Sequence, residues 1–331
     1  MTPESIPATA VEDPATEPPA PACVMCFNAS DPSGAGGLAG DVATIAAMGA
    51  HALPVVTSIV MRDTADTFDQ HEIDADIVAE QARTILEDVT IAGWKVGFLG
   101  SADNVSAVAE VLSDYTEIPL VSYLPNLAWL EEDALQPYLD AFRELILPAT
   151  EVLVGNHKTL QDFLLPEWDN ERPASARELA VAAAEHGTRY VLVTGVMLAA
   201  KVPAKGAAKD SSKSPEQYID NVLASPQGAL TGEKFERFDA GFVGAGDTLA
   251  AALAALLAAG SELEPAVGEA LSFLDQCLDA GFRPGMGQIV PDRFFWALPP
   301  PEEGDGQDPQ DTSPDPEPPD PKGKTAPRRV H

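Results

Sequence analysis

The chain has 331 residues, enough for one large α/β domain or two smaller domains. Its formal net charge of −32, from 52 acidic and 20 basic residues, argues against nucleic acid or an anionic membrane surface as a partner. The first residues lack the basic and apolar regions of a signal peptide, and no run of about 18 apolar residues predicts a membrane span. With only three cysteines, too few for a disulfide framework, a reducing, cytoplasmic location is expected.

Both ends of the chain are rich in proline and acidic residues. Residues 1–21 are mainly Pro, Ala, Thr and Glu, and residues 299–331 are mainly Pro and Asp. Neither segment has enough apolar side chains to offset the entropy lost on ordering. The composition therefore predicts disordered tails at 1–21 and 299–331 around one folded domain at 22–298.

Between the tails, short apolar runs alternate with helical patterns. Strands are predicted at 24–28, 53–60, 93–100, 119–124, 151–156 and 189–195. Helices are predicted at 37–50, 77–89, 103–113, 133–146, 158–165, 174–187, 243–260 and 264–281, and the last two are expected to pack as a hairpin. Residues 201–220, rich in Lys, Gly and Ser, are expected to form a solvated loop. The alternation predicts an α/β fold with a mostly parallel central sheet and helices on both faces, which binds ligands at the carboxyl ends of its strands.

A turn of small residues precedes the long apolar helix at 243–260. The consecutive N–H groups of Gly244, Ala245 and Gly246 can converge on an anion at the positive end of the helix dipole. Asp247 follows in the first turn, where it can accept the proton of a substrate hydroxyl, so the pattern favours phosphoryl transfer. The alternative is an ordinary first-turn aspartate that stabilises the helix end.

A second glycine-rich segment, residues 28–41, directly follows the first predicted strand. Gly34, Gly36 and Ala39 have the spacing of a dinucleotide-binding turn, with Asp63 as the candidate ribose acid. However, several residues separate the strand from Gly34, and Asp63 lies farther along the chain than the typical distance of about 20 residues. The spacing therefore disfavours a dinucleotide site.

Four segments, in this order, resemble the hydroxymethylpyrimidine and phosphomethylpyrimidine kinases of thiamine biosynthesis. The segments are SDPSGAGGLAGD at 30–41, WKVGFLGS at 94–101, GAGD at 244–247 and AGFRPGMGQIVPDRFFWAL at 280–298. Those kinases belong to the ribokinase-like superfamily, together with pyridoxal kinases. The resemblance implies a ribokinase-like fold, ATP and Mg²⁺ as cofactors, and a small pyrimidine alcohol as substrate. It leaves a homodimer open.

The resemblance also implies which residues contact the substrate. They are Gly36, Gly37, Asp41, Val60, Arg62 and Phe98. The chain departs from the family at three positions, because pyrimidine kinases usually have glutamine at Arg62, methionine at Phe98 and cysteine at Asp247. Arg62 is a candidate for binding phosphate, and a surface ion pair with Asp63 or Asp66 is its alternative.

Contacts with phosphate or ATP are expected at four further residues. They are Lys95, Asn156, Thr194 and Gly195. The alternative for Lys95 is pairing with a neighbouring acid, and the alternative for Asn156 is loop capping. The family's magnesium-associated segments correspond to residues 121–123 and 155–159, where Tyr123 and Thr159 depart from the pattern, so the resemblance assigns no metal ligands.

Three functions are consistent with these residues. The first is ATP-dependent phosphorylation of 4-amino-5-hydroxymethyl-2-methylpyrimidine, and then of its monophosphate. The second is phosphorylation of pyridoxal or pyridoxine, because Arg62 departs from the pyrimidine pattern. The third is a catalytically weak pyrimidine-binding protein, which the changes at Tyr123 and Thr159 favour and Asp247 disfavours.

Overall fold

A computed structural model describes residues 20–197, 218–236 and 240–297. Its strands, in chain order, are β1 (Cys23–Ser30), β2 (His51–Arg62), β3 (Thr67–Glu72), β4 (Gly93–Val96), β5 (Leu120–Leu124), β6 (Val152–Asn156), β7 (Tyr190–Met197), β8 (Tyr218–Ser225) and β9 (Gly228–Glu236). Its α-helices are α1 (Gly37–Ala47), α2 (Ala75–Leu86), α3 (Ala102–Ser113), α4 (Glu132–Ala141), α5 (His157–Leu164), α6 (Ala176–Glu185), α7 (Ala245–Ala258) and α8 (Leu263–Asp279).

All these strands belong to one sheet, in the order β3-β2-β1-β4-β5-β6-β7-β8-β9. The six central strands from β2 to β7 in this order are parallel to one another. On one side β3 pairs antiparallel with β2, and on the other side β8 pairs antiparallel with β7 and β9 pairs antiparallel with β8. The predicted mostly parallel sheet is confirmed, and the carboxyl ends of its central strands meet at one edge, where such sheets bind ligands.

Two apolar cores lie on opposite faces of the sheet. Alternate residues of β1 point to different cores: Met25 and Phe27 pack with α2 to α6, whereas Val24 and Cys26 pack with α1, α7 and α8. Because both faces are covered, the parallel strands appear in the sequence as continuous apolar runs. Helices α7 and α8 pack against each other, as the sequence predicts.

Some elements differ from the sequence-based expectation. The sequence pattern does not predict strand β3, because its side chains are mostly exposed and show no apolar alternation. Strand β4 ends at Val96, and the N–H group of Phe98 bonds to a side-chain oxygen of Asn28 instead of continuing a strand. Helix α4 gives way to a π-helical turn at Phe142–Ile146. Residues 218–220, predicted as loop, begin β8.

The remainder of the predicted 201–220 loop and nearly all of the predicted tails lie outside the described residues. The chain divides into two units, Met1–Phe295 and Trp296–His331, and the sheet and its helices belong to the first. Cys23, Cys26 and Cys277 are free thiols. None of the helices described is long and apolar enough to cross a membrane.

Candidate active site

A cavity of about 490 Å³ opens at the carboxyl edge of the sheet. Its wall is formed by the ends of β1 and β2, the segment after β4, residues 125–129, the first turn of α7 and Gln288. This volume lies within the usual range of about 300–1,000 Å³ for small-molecule sites. Of the predicted substrate and catalytic residues, Gly37, Val60, Arg62, Phe98 and Asp247 line the cavity.

Asp247 presents its carboxylate to the cavity from the first turn of α7. Its Oδ1 accepts hydrogen bonds from Lys95 Nζ at 2.7 Å and Asn28 Nδ2 at 2.9 Å, and its Oδ2 accepts one from the N–H group of Gly37 at 3.2 Å. Burial raises the pKa of Asp247, but Lys95 and these hydrogen bonds outweigh burial, so the pKa lies below its ordinary value. The carboxylate is therefore held as an anion in a fixed orientation.

Lys95 is fully buried between two carboxylates. Besides Asp247, its Nζ contacts Asp41 Oδ1 at 2.8 Å, and Asn28 Nδ2 donates to Asp41 Oδ2 at 2.9 Å. Burial lowers the pKa of Lys95, but the two carboxylates reverse that effect and hold it above its ordinary value. Lys95 thus pairs with neighbouring acids, which is the alternative that the sequence left open. Its side chain has no exposed surface through which it could contact a phosphate.

Asp41, expected beside the substrate ring, lies on α1 beneath the cavity wall and is also fully buried. Burial raises the pKa of Asp41 to about 6, although Lys95 opposes the rise. Asp41 therefore contacts the ammonium of Lys95 rather than the cavity, because a buried cation needs an anionic partner.

The segment before α1 brings two glycines against Asp247. Gly37 has a φ of +58°, and a Cβ there would overlap the carbonyl oxygen of Ala29, so only glycine allows its N–H group to reach Asp247. The N–H group of Gly36 donates to Asp31 Oδ2 at 3.1 Å, and a Cβ at Gly36 would lie 2.7 Å from Asp247 Oδ2. These glycines, expected beside the pyrimidine, lie against the carboxylate. The dinucleotide interpretation gains no support, because the N–H groups of both glycines already bond carboxylates of the chain, and Asp63 Oδ1 accepts N–H groups of its own turn.

Arg62 contributes a cation to the cavity. Its Nη1 lies 3.6 Å from Asp31 Oδ2, and its Nε donates to the backbone carbonyl of Asp63 at 3.2 Å. Its ion pair is therefore with Asp31, not with the carboxylates of Asp63 or Asp66. The Arg62 side chain is 18% exposed, so solvent and a ligand can reach it.

Phe98 forms an apolar, aromatic part of the cavity wall. Its ring centroid lies 5.5 Å from that of Trp129 and 5.4 Å from that of Tyr138. Val60 is also buried and faces the cavity. The cavity therefore combines apolar surface suited to a flat ring with one cation and several carboxylates.

The turn 244–247 begins α7 beside this carboxylate. Gly244 has a φ of +85°, and a Cβ there would overlap the carbonyl oxygen of Ala35. The first N–H groups of an α-helix, here those from Ala245 onwards, have no acceptor within the helix. Gly246 lies against the ring of Tyr123. The expected anion contact of this turn remains a prediction.

Three predicted ATP contacts cluster at the ends of β6 and β7. Asn156 and Thr194 are paired across the two strands, and Asn156 Nδ2 lies 2.7 Å from where a Cβ of Gly195 would be. Asn156 Oδ1 accepts the N–H group of Lys158 at 3.0 Å and caps α5, the alternative role that the sequence left open. These residues lie on the same sheet edge as the cavity but do not line it.

The residues that the structure describes do not form a protein site for Mg²⁺. Within the described ranges, no group of three or more His, Cys, Asp or Glu side chains could hold a metal ion. The carboxylate of Asp247 is already engaged by Lys95, whose Nζ lies 5.8 Å from the centroid of the Tyr123 ring. Mg²⁺ is usually bound through substrate phosphates and waters with few protein ligands, so it would have to arrive with ATP.

Several site residues do not stand out in the sequence. Asn28 donates to both Asp41 and Asp247, and its Oδ1 accepts the N–H groups of Ala29 and Phe98. Only its position near the end of the first parallel strand could have indicated a role in the site. Asp31 lies inside the glycine-rich segment that follows β1, whereas Trp129 comes from a loop without a recognisable pattern.

Comparison with known proteins identifies relatives of the chain. A family model described as "Phosphomethylpyrimidine kinase" matches residues 31–292. A hydroxymethylpyrimidine/phosphomethylpyrimidine kinase of Mycobacterium leprae is 31% identical over 276 residues, which are 81% of this chain and 92% of that protein.

Solved structures share the fold at lower identity. The ADP complex of Bacillus subtilis pyridoxal kinase has a TM-score of 0.69 and 21% identity, covering 85% of this chain and 100% of that one. A phosphomethylpyrimidine kinase from Clostridium difficile has a TM-score of 0.58 and 17% identity, covering 78% of this chain and 99% of that one. These matches confirm the ribokinase-like fold. The family model and the sequence relative show that the chain belongs to the phosphomethylpyrimidine kinase family.

Proposed function

We propose that the protein transfers the γ-phosphoryl group of ATP to the hydroxymethyl oxygen of 4-amino-5-hydroxymethyl-2-methylpyrimidine, and then phosphorylates the resulting monophosphate. The observation that carries the proposal is the Asp247 carboxylate, held in the cavity wall at the start of α7. Kinase activity follows from family membership, and the Mycobacterium leprae relative carries both pyrimidine activities in its name.

The proposed chemistry assigns a role to each part of the site. Asp247 accepts the proton of the substrate hydroxyl as that oxygen forms its bond to phosphorus and the bond from the γ-phosphorus to ADP breaks. The N–H groups of residues 245–247 stabilise the negative charge of the transferring group. Gly37, Lys95 and Asn28 hold the carboxylate through hydrogen bonds, and Asp41 balances the charge of Lys95.

The proposal places the nucleotide along the same edge of the sheet. Asn156, Thr194 and Gly195 would contact ATP at the ends of β6 and β7. Mg²⁺ would accompany ATP and neutralise phosphate charge, which matters in a protein of net charge −32. Val60, Phe98 and Arg62 would contact the pyrimidine or its phosphate.

Phosphorylation of pyridoxal or pyridoxine is the second candidate. Arg62 lies in the cavity at a position where a glutamine is usual, and the similar solved structures include pyridoxal kinases. Side-by-side assays of ADP formation with the pyrimidine alcohol and with pyridoxine, at saturating Mg²⁺ and ATP, separate the two. We expect a higher kcat/KM for the pyrimidine, and a preference for pyridoxine would overturn the proposed substrate.

Arg62→Gln tests whether this cation binds the phosphate of the monophosphate substrate. We expect kcat/KM for the monophosphate to fall by a factor equivalent to about 1.5–3 kcal/mol, the value of a hydrogen bond to a charged group, with a smaller effect on the unphosphorylated alcohol. Arg177→Gln is the control, because Arg177 lies on α6, outside the cavity, and bonds only a backbone carbonyl among its described partners. Equal, small effects on both substrates would exclude Arg62 from phosphate binding.

The pH dependence of kcat/KM tests the link between Asp41 and Asp247. The pKa of Asp41 is raised to about 6, so Asp41 is protonated below that pH and ionised above it. Protonation leaves Lys95 with Asp247 as its anionic partner, which makes Asp247 a weaker base. We therefore expect kcat/KM to rise with pH through about 6, and this step to be absent in Asp41→Asn. A step that survives in Asp41→Asn belongs to another group.

A further inference from the structure

Arg293 is a buried cation whose role neither the sequence motifs nor the proposed chemistry explains. It follows α8 in the C-terminal segment and is only 6% exposed. In the part of the chain that the structure describes, no carboxylate forms an ion pair with it. A buried charge is costly unless its donors are satisfied, so its hydrogen bonds identify what it holds in place.

Those hydrogen bonds connect two separate segments. Nη1 donates to the carbonyl of Gly34 at 3.4 Å, and Nη2 donates to the carbonyl of Ala35. Nε donates to Thr248 Oγ1 at 3.0 Å, and the Thr248 hydroxyl in turn donates to the carbonyl of Gly244 at 2.9 Å. One guanidinium therefore joins the segment before α1 to the first turn of α7.

The two joined segments are those that surround Asp247. The carbonyl of Ala35 lies against Gly244, where a Cβ would overlap it. Two residues beyond Ala35, the N–H group of Gly37 donates to Asp247 Oδ2. The separation between the segments therefore helps to set the orientation of the Asp247 carboxylate.

We propose that Arg293 is a positioning residue for phosphoryl transfer, because its planar guanidinium fixes residues 34–37 against the turn 244–247. This inference rests on the proposed catalytic role of Asp247. The fork of a guanidinium directs three donors at fixed angles, whereas a lysine ammonium is a point charge on a flexible stem. The proposal therefore requires the shape of arginine and not only its charge.

The test compares Arg293→Met and Arg293→Lys with the wild type. We expect kcat to fall by about tenfold to hundredfold in both variants, with each KM within about threefold, because a displacement of about 1 Å can cost about 10²-fold in rate. Arg189→Met is the control, since Arg189 is 73% exposed on the opposite edge and contacts only Glu151 in its ion pair. A kcat within about twofold of wild type in Arg293→Met, or recovery in Arg293→Lys, would overturn the proposal.

A double-mutant cycle on kcat tests whether Arg293 and Thr248 act together. Thr248→Val removes the hydroxyl that accepts the hydrogen bond from Arg293 Nε, so the loss of kcat in the double variant should be smaller than the product of the two single losses. Multiplied losses in the double variant would mean that the two residues act independently, which would contradict the proposal. Thermal unfolding of each variant shows up to which temperature it remains fully folded, and the kinetic assays are run below that temperature.

Hydrogen–deuterium exchange provides a readout that does not depend on turnover. In Arg293→Met we expect faster amide exchange at residues 34–37 and 244–248, and unchanged exchange at 102–105, the start of α3. Unchanged exchange at 34–37 would refute the inference even if the enzyme is active. If the wild type phosphorylates no hydroxymethyl heterocycle, the proposed function fails, whereas the exchange result still decides whether Arg293 holds the two segments together.

Discussion

Asp247→Asn is expected to lower kcat by about 10² to 10⁴, the usual contribution of a general base, with a modest change in KM. Asparagine keeps the size of the side chain but cannot accept the substrate proton. It also removes the anion that Lys95 contacts at 2.7 Å. Steady-state kinetics with the pyrimidine alcohol and ATP measure the effect.

Asp103→Asn is the matched control for this experiment. Asp103 is also a first-turn acid, on α3, but it is exposed and lies outside the cavity. Both aspartates interact with a helix dipole, so a dipole effect alone would be similar at the two positions. Near-normal turnover in Asp247→Asn, matching that of Asp103→Asn, would assign Asp247 to stabilisation of the helix end.

Lys95→Met is expected to lower the free energy of unfolding by about 3–5 kcal/mol, because removing one partner of a buried ionic group leaves uncompensated charge. Asp41 and Asp247 would then face each other without the ammonium between them. Urea unfolding at neutral pH measures the change.

Two further variants identify the cause of that loss. Adding Asp41→Asn to Lys95→Met should recover about 0.5–3 kcal/mol, because it removes one of the unpaired carboxylates. Lys158→Met should cost less than about 1 kcal/mol, since Lys158 pairs with Asp162 on the exposed surface of α5. A loss below about 1 kcal/mol in Lys95→Met would contradict the buried ionic network.

The fold could be predicted from the sequence to the extent that burial leaves a local pattern. The central parallel strands are buried on both faces and therefore appear as apolar runs. Strand β3 has no such pattern, because its residues are mostly exposed and its pairing with β2 depends on tertiary contact. The π-helical turn after α4 also has no distinct local pattern, since the apolar periodicity continues through Phe142 and Ile146.

The residues of the candidate site could also be predicted only in part. Gly37, Arg62, Phe98 and Asp247 could be placed in one cavity because motifs at strand and helix ends converge in this fold. From the sequence, Lys95 is expected to contact phosphate, whereas the structure pairs it with Asp41 and Asp247. A lysine inside an apolar strand indicates such a buried ionic partner.

The partners of buried side chains are harder to predict than their burial. Arg293 lies 258 residues from Ala35, whose carbonyl it bonds. No local pattern in a single sequence joins residues so far apart. The contacts that hold the catalytic groups in place therefore emerge only from the folded chain, whereas the groups themselves carry recognisable motifs.

Product analysis after reaction with 4-amino-5-hydroxymethyl-2-methylpyrimidine and excess ATP tests the central claim most directly. Phosphorus NMR and mass spectrometry identify the pyrimidine product, and a parallel assay counts the ADP formed. We expect the monophosphate first and the diphosphate at completion, with two ADP per pyrimidine, and no comparable product from Asp247→Asn. No ADP and unchanged pyrimidine with the wild-type protein would contradict the account.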